Sequence, residues 1–195
     1  MNLANKITIA RILLIPFLLV FLQPYPEWLV DNSLIFAHLN HYGIYYAAVL
    51  FVLTAATDKL DGHIARKYNM VTNLGKLLDP LADKLLISAA LIMLVFLHMV
   101  PGWVAIIIIG RELVITAIRS VASSQGIALA ADNYGKIKMV FQVIAITAIL
   151  LNNYPFAFLT DVPVDNILML IAVVLTIYSG LNYIIKNFKK LQLIS

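Results

Sequence analysis

Apolar residues run along this chain in six blocks, roughly 7–22, 40–57, 85–100, 101–123, 139–151 and 164–185, separated by short polar or proline-bearing stretches. Blocks of that length without period-two alternation predict helices, and about 20 helical residues cross a ~30 Å hydrocarbon core. Pro24 and Pro26 close the first block, Pro101 divides the third from the fourth, and Pro155 and Pro163 bracket the last connection. The pattern predicts an all-α polytopic membrane protein with six transmembrane helices, forming a single domain over 1–195. Lys6 and Arg11 precede the first block as the charges of a signal peptide would. The following Gln23-Pro24-Tyr25-Pro26-Glu27 offers no small-residue cleavage site, so this block reads as a retained helix.

Composition sharpens the picture. The chain is 62% hydrophobic and only 12% charged, against about 25% charged residues in soluble domains, which excludes a water-soluble globule. Cysteine is absent, and with it disulfides, thiolate metal sites and a cysteine nucleophile. The connections at 23–39, 98–103 and 152–163 contain none of the 14 Lys and Arg residues. By the positive-inside rule those connections face outward, and both termini with the remaining loops face the cytoplasm of a cell membrane. Trp28, Trp103 and Tyr154 on the outward side suit an interfacial belt. The cations are dispersed along one membrane face, with Lys186, Lys189 and Lys190 in the tail. They suit topology and contact with anionic lipids, and nothing in them supports a nucleic-acid role.

One segment departs from the apolar pattern. Asp58, Asp61, Asp79 and Asp83 fall within 26 positions beside two apolar blocks. Asp58 and Asp61 are spaced i, i+3, and Asp79 and Asp83 i, i+4, so each pair shares a helix face. The blocks beside them are short enough to draw these carboxylates into the cytoplasmic leaflet. An ionised aspartate at mid-membrane costs about 2.5–3.5 kcal/mol, so something must offset four of them. Oxygen-only donors select hard cations such as Mg²⁺, Mn²⁺ or Ca²⁺, and two carboxylate pairs on facing helices suit a two-metal site for phosphoryl transfer. Gly62, Ala65 and Gly75 lack bulk and admit a substrate close to the backbone. The competing reading is a solvated loop, in which Lys59, Arg66, Lys67, Lys76 and Lys84 pair with these acids at the surface.

The full pattern is D-x2-D-G-x2-A-R-x8-G-x3-D-x3-D, eight fixed positions from Asp58 to Asp83. In this it resembles the CDP-alcohol phosphatidyltransferase family, whose signature it matches without a mismatch. Asn5-Lys6-Ile7-Thr8-Ile9-Ala10-Arg11 resembles the family's N-terminal segment, with Ala4 where relatives commonly have proline. Arg111-Glu112-Leu113, Arg119, Gln125-Gly126 and Gly135-Lys136-Ile137-Lys138 resemble the branch that uses sn-glycerol 3-phosphate. The resemblance implies six transmembrane helices, a homodimer, and transfer of the phosphatidyl group of CDP-diacylglycerol to that acceptor with release of CMP. It implies two ions, Mg²⁺ or Mn²⁺, held by Asp58, Asp61 and Asp79, with Asp83 as the catalytic base also reaching the second metal. It assigns Gly62, Ala65, Arg66, Gly75, Asn5 and Thr8 to the nucleotide; helix capping is the alternative role for Asn5 and Thr8.

Arg111 lies about ten residues past Pro101, or ~15 Å into the membrane, where an arginine is a functional candidate by default. Pairing with Glu112 would make it structural. With Arg119, eight positions on and near the same stripe, and with Lys136 and Lys138, it instead forms a basic pocket for the phosphate of a second, anionic substrate. This favours glycerol 3-phosphate over serine or inositol and separates it less firmly from inositol phosphate or phosphatidylglycerol. A divalent-cation transporter is the rival from another class, since intramembrane carboxylates often mark ion paths.

Overall fold

The computed structural model describes residues 3–67, 73–127, 133–158 and 160–187, and the side chains of 3–6, 58–67, 73–77, 79 and 133 lie outside the described set. Every regular element among the described residues is helical. Six helices are long: α1 (Leu3–Leu22), α3 (Leu34–Lys67), α4 (Asn73–Phe96), α5 (Gly102–Ser124), α6 (Asn133–Leu150) and α7 (Val164–Asn187), with the short α2 (Glu27–Asn32) between the first two. They coincide with the six apolar blocks. Leu34–Thr57 and Val164–Asn187 are long and apolar enough to cross a membrane.

One connection differs from expectation. The stretch 23–39 is largely helical, because α3 begins at Leu34 and runs for 34 residues. His38, Asn40 and His41 interrupt the apolar run without breaking the helix: neither proline nor glycine lies among them, and the His38 ring meets Tyr42 and Tyr46 further along the helix. At 1.5 Å per residue α3 is ~51 Å long, well beyond a hydrocarbon core. Its last turns, carrying Asp58 and Asp61, therefore continue the same helix as its apolar part.

The C-termini of α4 and α5 close by the same device. His98 (φ 57°) and Gly126 (φ 72°) adopt the left-handed conformation just past the helix ends. Met99 then donates to Leu94 O and Ile127 to Ala122 O, each at 2.9 Å, the six-to-one bond that satisfies carbonyls otherwise orphaned at a helix end.

The helices pack around small side chains. Ala47, Ala48, Ala90, Ala145 and Ala172 are buried beside Leu18, Phe51, Leu94, Ile108 and Ile146. Where lipid removes the hydrophobic drive between helices, close backbone approach supplies the packing instead. The tightest case is α1 against α3: a Cβ on Gly43 would sit 2.3 Å from the Phe21 carbonyl oxygen. That neighbour is backbone and cannot step aside, so Gly43→Ala is expected to destabilise the fold by about 1–3 kcal/mol. A clear fall in melting temperature in detergent checks this; an unchanged one would show that the seam opens freely.

The outward surface is apolar, with Ile106, Ile185 and Leu113 at 73%, 73% and 65% exposure. Trp28, Trp103 and Tyr154 are exposed too. Side-chain pairs reveal the helix directions. Arg111 meets Ser179 and Arg119 meets Tyr183, so α5 and α7 run parallel. Gln142 meets Thr176 and Tyr134 lies beside Lys186, so α6 runs antiparallel to α7.

Candidate functional site

Thr8 and Arg11 lie one turn apart on α1 and are 1% and 2% exposed. Thr8 is well inside a helix that begins at Leu3, so it caps nothing. Arg11 Nη1 donates to Asp83 Oδ1 on α4 at 2.9 Å, joining positions 72 apart in sequence. Burying a guanidinium this completely demands a carboxylate partner, and Asp83, with 22% side-chain exposure, is one.

Asp83 borders a cavity of about 250 Å³ formed between α4, α5, α6 and α7. From α5 come Arg111, Glu112 and Arg119, and from α6 come Lys136, Lys138 and Gln142. Lys84 and Ser88 on α4 and Tyr183 on α7 add to the polar lining, and Ile87 and Ile108 are among its apolar residues. Thus Asp83 and all four cations predicted for the acceptor share one chamber. Lys84 faces the same space and donates to Thr116 on α5, where the solvated-loop reading paired it with surface acids.

Arg111, Lys138 and Arg119 are each held by a specific contact. Arg111 Nη1 donates to Glu112 Oε1 at 3.2 Å and Nη2 to Ser179 Oγ at 2.7 Å. Lys138 pairs with the same Glu112 carboxylate. Arg119 Nε donates to the Tyr183 hydroxyl at 3.1 Å, and its guanidinium carbon lies 5.1 Å from that ring's centre. Glu112 therefore organises two cations, and its pairing with Arg111 does not withdraw that arginine from the cavity. Five cations against two carboxylates line the chamber, and Lys138 is 6% and Arg111 13% exposed. Arg119 and Lys136 are exposed, so the chamber presents an open excess of positive charge that attracts an anion. A phosphate monoester, with about −1.5 to −2 charge at neutral pH, matches that excess better than a single carboxylate or a neutral alcohol.

The remaining predicted residues are placed by backbone alone. Asp58, Asp61, Gly62, Ala65 and Arg66 occupy the last turns of α3, Gly75 and Asp79 the first turns of α4, and Asn5 the first turn of α1. Their side chains lie outside the described residues. By chemistry, the four aspartates form an all-oxygen donor set fit for Mg²⁺ or Mn²⁺.

Sequence reasoning missed Arg11 as a site residue, and with it Ser179, Tyr183, Gln142 and Lys84. A signal existed on α7, where Thr176, Ser179, Gly180, Tyr183 and Asn187 recur at helical spacing through an apolar helix.

Comparison with known proteins agrees with this constellation. The family model described as CDP-alcohol phosphatidyltransferase matches residues 1–178. A Bacillus subtilis protein named CDP-diacylglycerol–glycerol-3-phosphate 3-phosphatidyltransferase is 46% identical, over 98% of this chain and 97% of its own. Proteins of the same name from Pseudomonas fluorescens and Rickettsia felis are 36% and 34% identical, over 94% and 93% of this chain and 89% and 93% of theirs. With the aspartate signature, the basic chamber and a match across nearly the whole length, the chain belongs to the CDP-alcohol phosphatidyltransferase family.

Proposed function

We propose that this protein transfers the phosphatidyl group of CDP-diacylglycerol to sn-glycerol 3-phosphate, giving phosphatidylglycerophosphate and CMP. The observation that carries the reading is a single chamber in which Asp83 of the signature meets Arg111, Arg119, Lys136 and Lys138. At about 250 Å³ it falls below the ~300–1,000 Å³ typical of drug-sized ligands, which suits a small phosphorylated alcohol over a second lipid. Membership of a transferase family removes the cation-transport reading.

The acceptor's phosphate rests among the arginine forks and lysines, and its 1-hydroxyl is directed toward Asp83. The hydroxyl oxygen attacks the β-phosphorus of CDP-diacylglycerol. The bond from that phosphorus to the bridging oxygen breaks, CMP leaves with the electron pair, and Asp83 accepts the hydroxyl proton. Asn5, Thr8, Gly62, Ala65, Arg66 and Gly75 seat the nucleotide. Two Mg²⁺ or Mn²⁺ ions, held by Asp58, Asp61 and Asp79 together with Asp83, supply charge stabilisation on the pyrophosphate oxygens when bound. Arg11 keeps the Asp83 carboxylate in place from the opposite side.

The chain forms one membrane domain over 1–195 with six transmembrane helices, working as a homodimer. Its termini and its reaction face the cytoplasmic side of the cell membrane. The parallel course of α5 and α7, antiparallel to α6, supports an alternating path, and the exclusion of Lys and Arg from the outward connections supports the sidedness.

Purified protein given CDP-diacylglycerol, Mg²⁺ or Mn²⁺ and a panel of acceptors tests this directly, with CMP as the readout. Turnover is expected with glycerol 3-phosphate, not with serine, inositol, inositol phosphate or phosphatidylglycerol, and is expected to stop on chelation and return with added metal. Comparable turnover with serine would sink the acceptor assignment. Arg111→Ala and Arg119→Ala are each expected to raise the KM for glycerol 3-phosphate by about 10–100-fold, the equivalent of one charged hydrogen bond. The KM for CDP-diacylglycerol should barely move, and equal shifts in both constants would break the division of the site into two subsites.

A further inference from the structure

The two arginines of the chamber stand eight residues apart on α5, a rise of ~12 Å along the helix axis. A single phosphate is far smaller than that separation, so their side chains must converge. Their anchors on α7 lie closer together: Ser179 and Tyr183 are four residues apart, or ~6 Å.

We propose that α7 is an arginine clamp, in which Ser179, Gly180 and Tyr183 are positioning residues that set the spacing and aim of Arg111 and Arg119 for the acceptor's phosphate. This rests on the acceptor reading of the chamber and adds the element that makes it selective. Ser179 Oγ accepts from Arg111 Nη2 at 2.7 Å. Gly180 provides a groove for the stem of the same arginine, since a Cβ there would sit 3.1 Å from Arg111 Cγ. Tyr183 holds Arg119 twice, through its hydroxyl on Nε at 3.1 Å and through its ring face at 5.1 Å. The tyrosine thus engages Nε, on the opposite side of the guanidinium from the edge where paired Nη donors match a phosphate.

The clamp is itself anchored. Thr176 Oγ1 accepts from Gln142 on α6 at 2.9 Å, and Asn187 Nδ2 donates to the Tyr183 carbonyl at 2.8 Å. Thr176, Ser179 and Tyr183 are all 1% exposed or less. A buried polar side chain in an otherwise apolar helix is unfavourable unless bonded, and the bonds from this stripe to other helices go to Gln142, Arg111 and Arg119, which line the chamber. Ser179, Gly180 and Tyr183 also lie beyond the segment 1–178 that the family model matches. That position suits a determinant of the acceptor more than one of the shared chemistry on the lipid nucleotide.

The test uses full-length protein in detergent–lipid micelles with Ser179→Ala, Ser179→Thr, Gly180→Ala and Tyr183→Phe, and with Arg111→Ala as reference. KM is measured for glycerol 3-phosphate and for CDP-diacylglycerol, with the melting temperature of each variant taken without substrate. Ser179→Ala, Gly180→Ala and Tyr183→Phe are expected to raise the KM for glycerol 3-phosphate by about 5–20-fold. The KM for CDP-diacylglycerol is expected to stay within about twofold, and Ser179→Thr to recover most of the loss by restoring the hydroxyl. Gly180→Ala is the decisive variant, because it removes no functional group and acts only by moving the arginine stem. If Arg111→Ala raises the acceptor KM while Gly180→Ala and Ser179→Ala do not, the clamp is wrong and the chamber stands. If both KM values rise together with a lowered melting temperature, α7 is merely structural and the clamp is wrong. If Arg111→Ala leaves the acceptor KM unchanged, the chamber reading falls and takes the clamp with it.

Discussion

Exchange of Asp83 for asparagine is expected to lower CMP release by about 10²–10⁴-fold, the range over which a positioned proton acceptor contributes. Asparagine preserves the shape of the side chain and an oxygen able to accept from Arg11 Nη1, which lies 2.9 Å from the carboxylate. It removes the negative charge and the basicity. The fold should survive at a cost of about 1–3 kcal/mol, because the 1%-exposed Arg11 then faces a neutral amide. Turnover and melting temperature measured on the same preparation separate the two effects. A variant that melts normally and keeps more than about a tenth of its turnover would show that Asp83 is not the group that accepts the proton. Asp79→Asn, four residues earlier on α4, should be as damaging if the aspartates act as one set, since members of a catalytic unit do not contribute additively.

The helical architecture was legible because long apolar runs without period-two alternation form helices, and the six blocks fall within or beside six long helices among the described residues. The stretch 23–39 was misjudged for the same reason. His38, Asn40 and His41 lower hydropathy locally, whereas the helix needs only backbone continuity, and α3 accordingly starts at Leu34. Of the chamber's five cations, Arg111 and Arg119 were legible because a charge inside an apolar run stands out, and Lys136 and Lys138 through the family resemblance. Ser179, Tyr183 and Gln142 were not, since weakly polar side chains barely alter the pattern. Arg11 was misleading in a different way: so close to the N-terminus it reads as a topology charge. Its real partner is 72 positions away, a relation that no local periodicity encodes.

That partnership sets the second large effect. Arg11→Ala is expected to destabilise the protein by about 3–5 kcal/mol, the cost of leaving one member of a buried ion pair without the other. Arg11→Lys should recover part of this, because it restores the charge without the planar fork. The informative variant is the double exchange Arg11→Met with Asp83→Leu. Replacing both members of a buried pair by apolar groups of similar volume is often neutral or stabilising, so its melting temperature should exceed that of Arg11→Ala while its turnover is lost. A double-mutant cycle between the positions should give a coupling of about 1–3 kcal/mol. Additive effects would mean that Arg11 is held by other neighbours and does not act through Asp83. If the double exchange melts at or above the parent, the ion pair gives no stability that apolar residues could not supply. Its presence between α1 and α4 then follows from the need to hold a carboxylate in a fixed place beside the chamber.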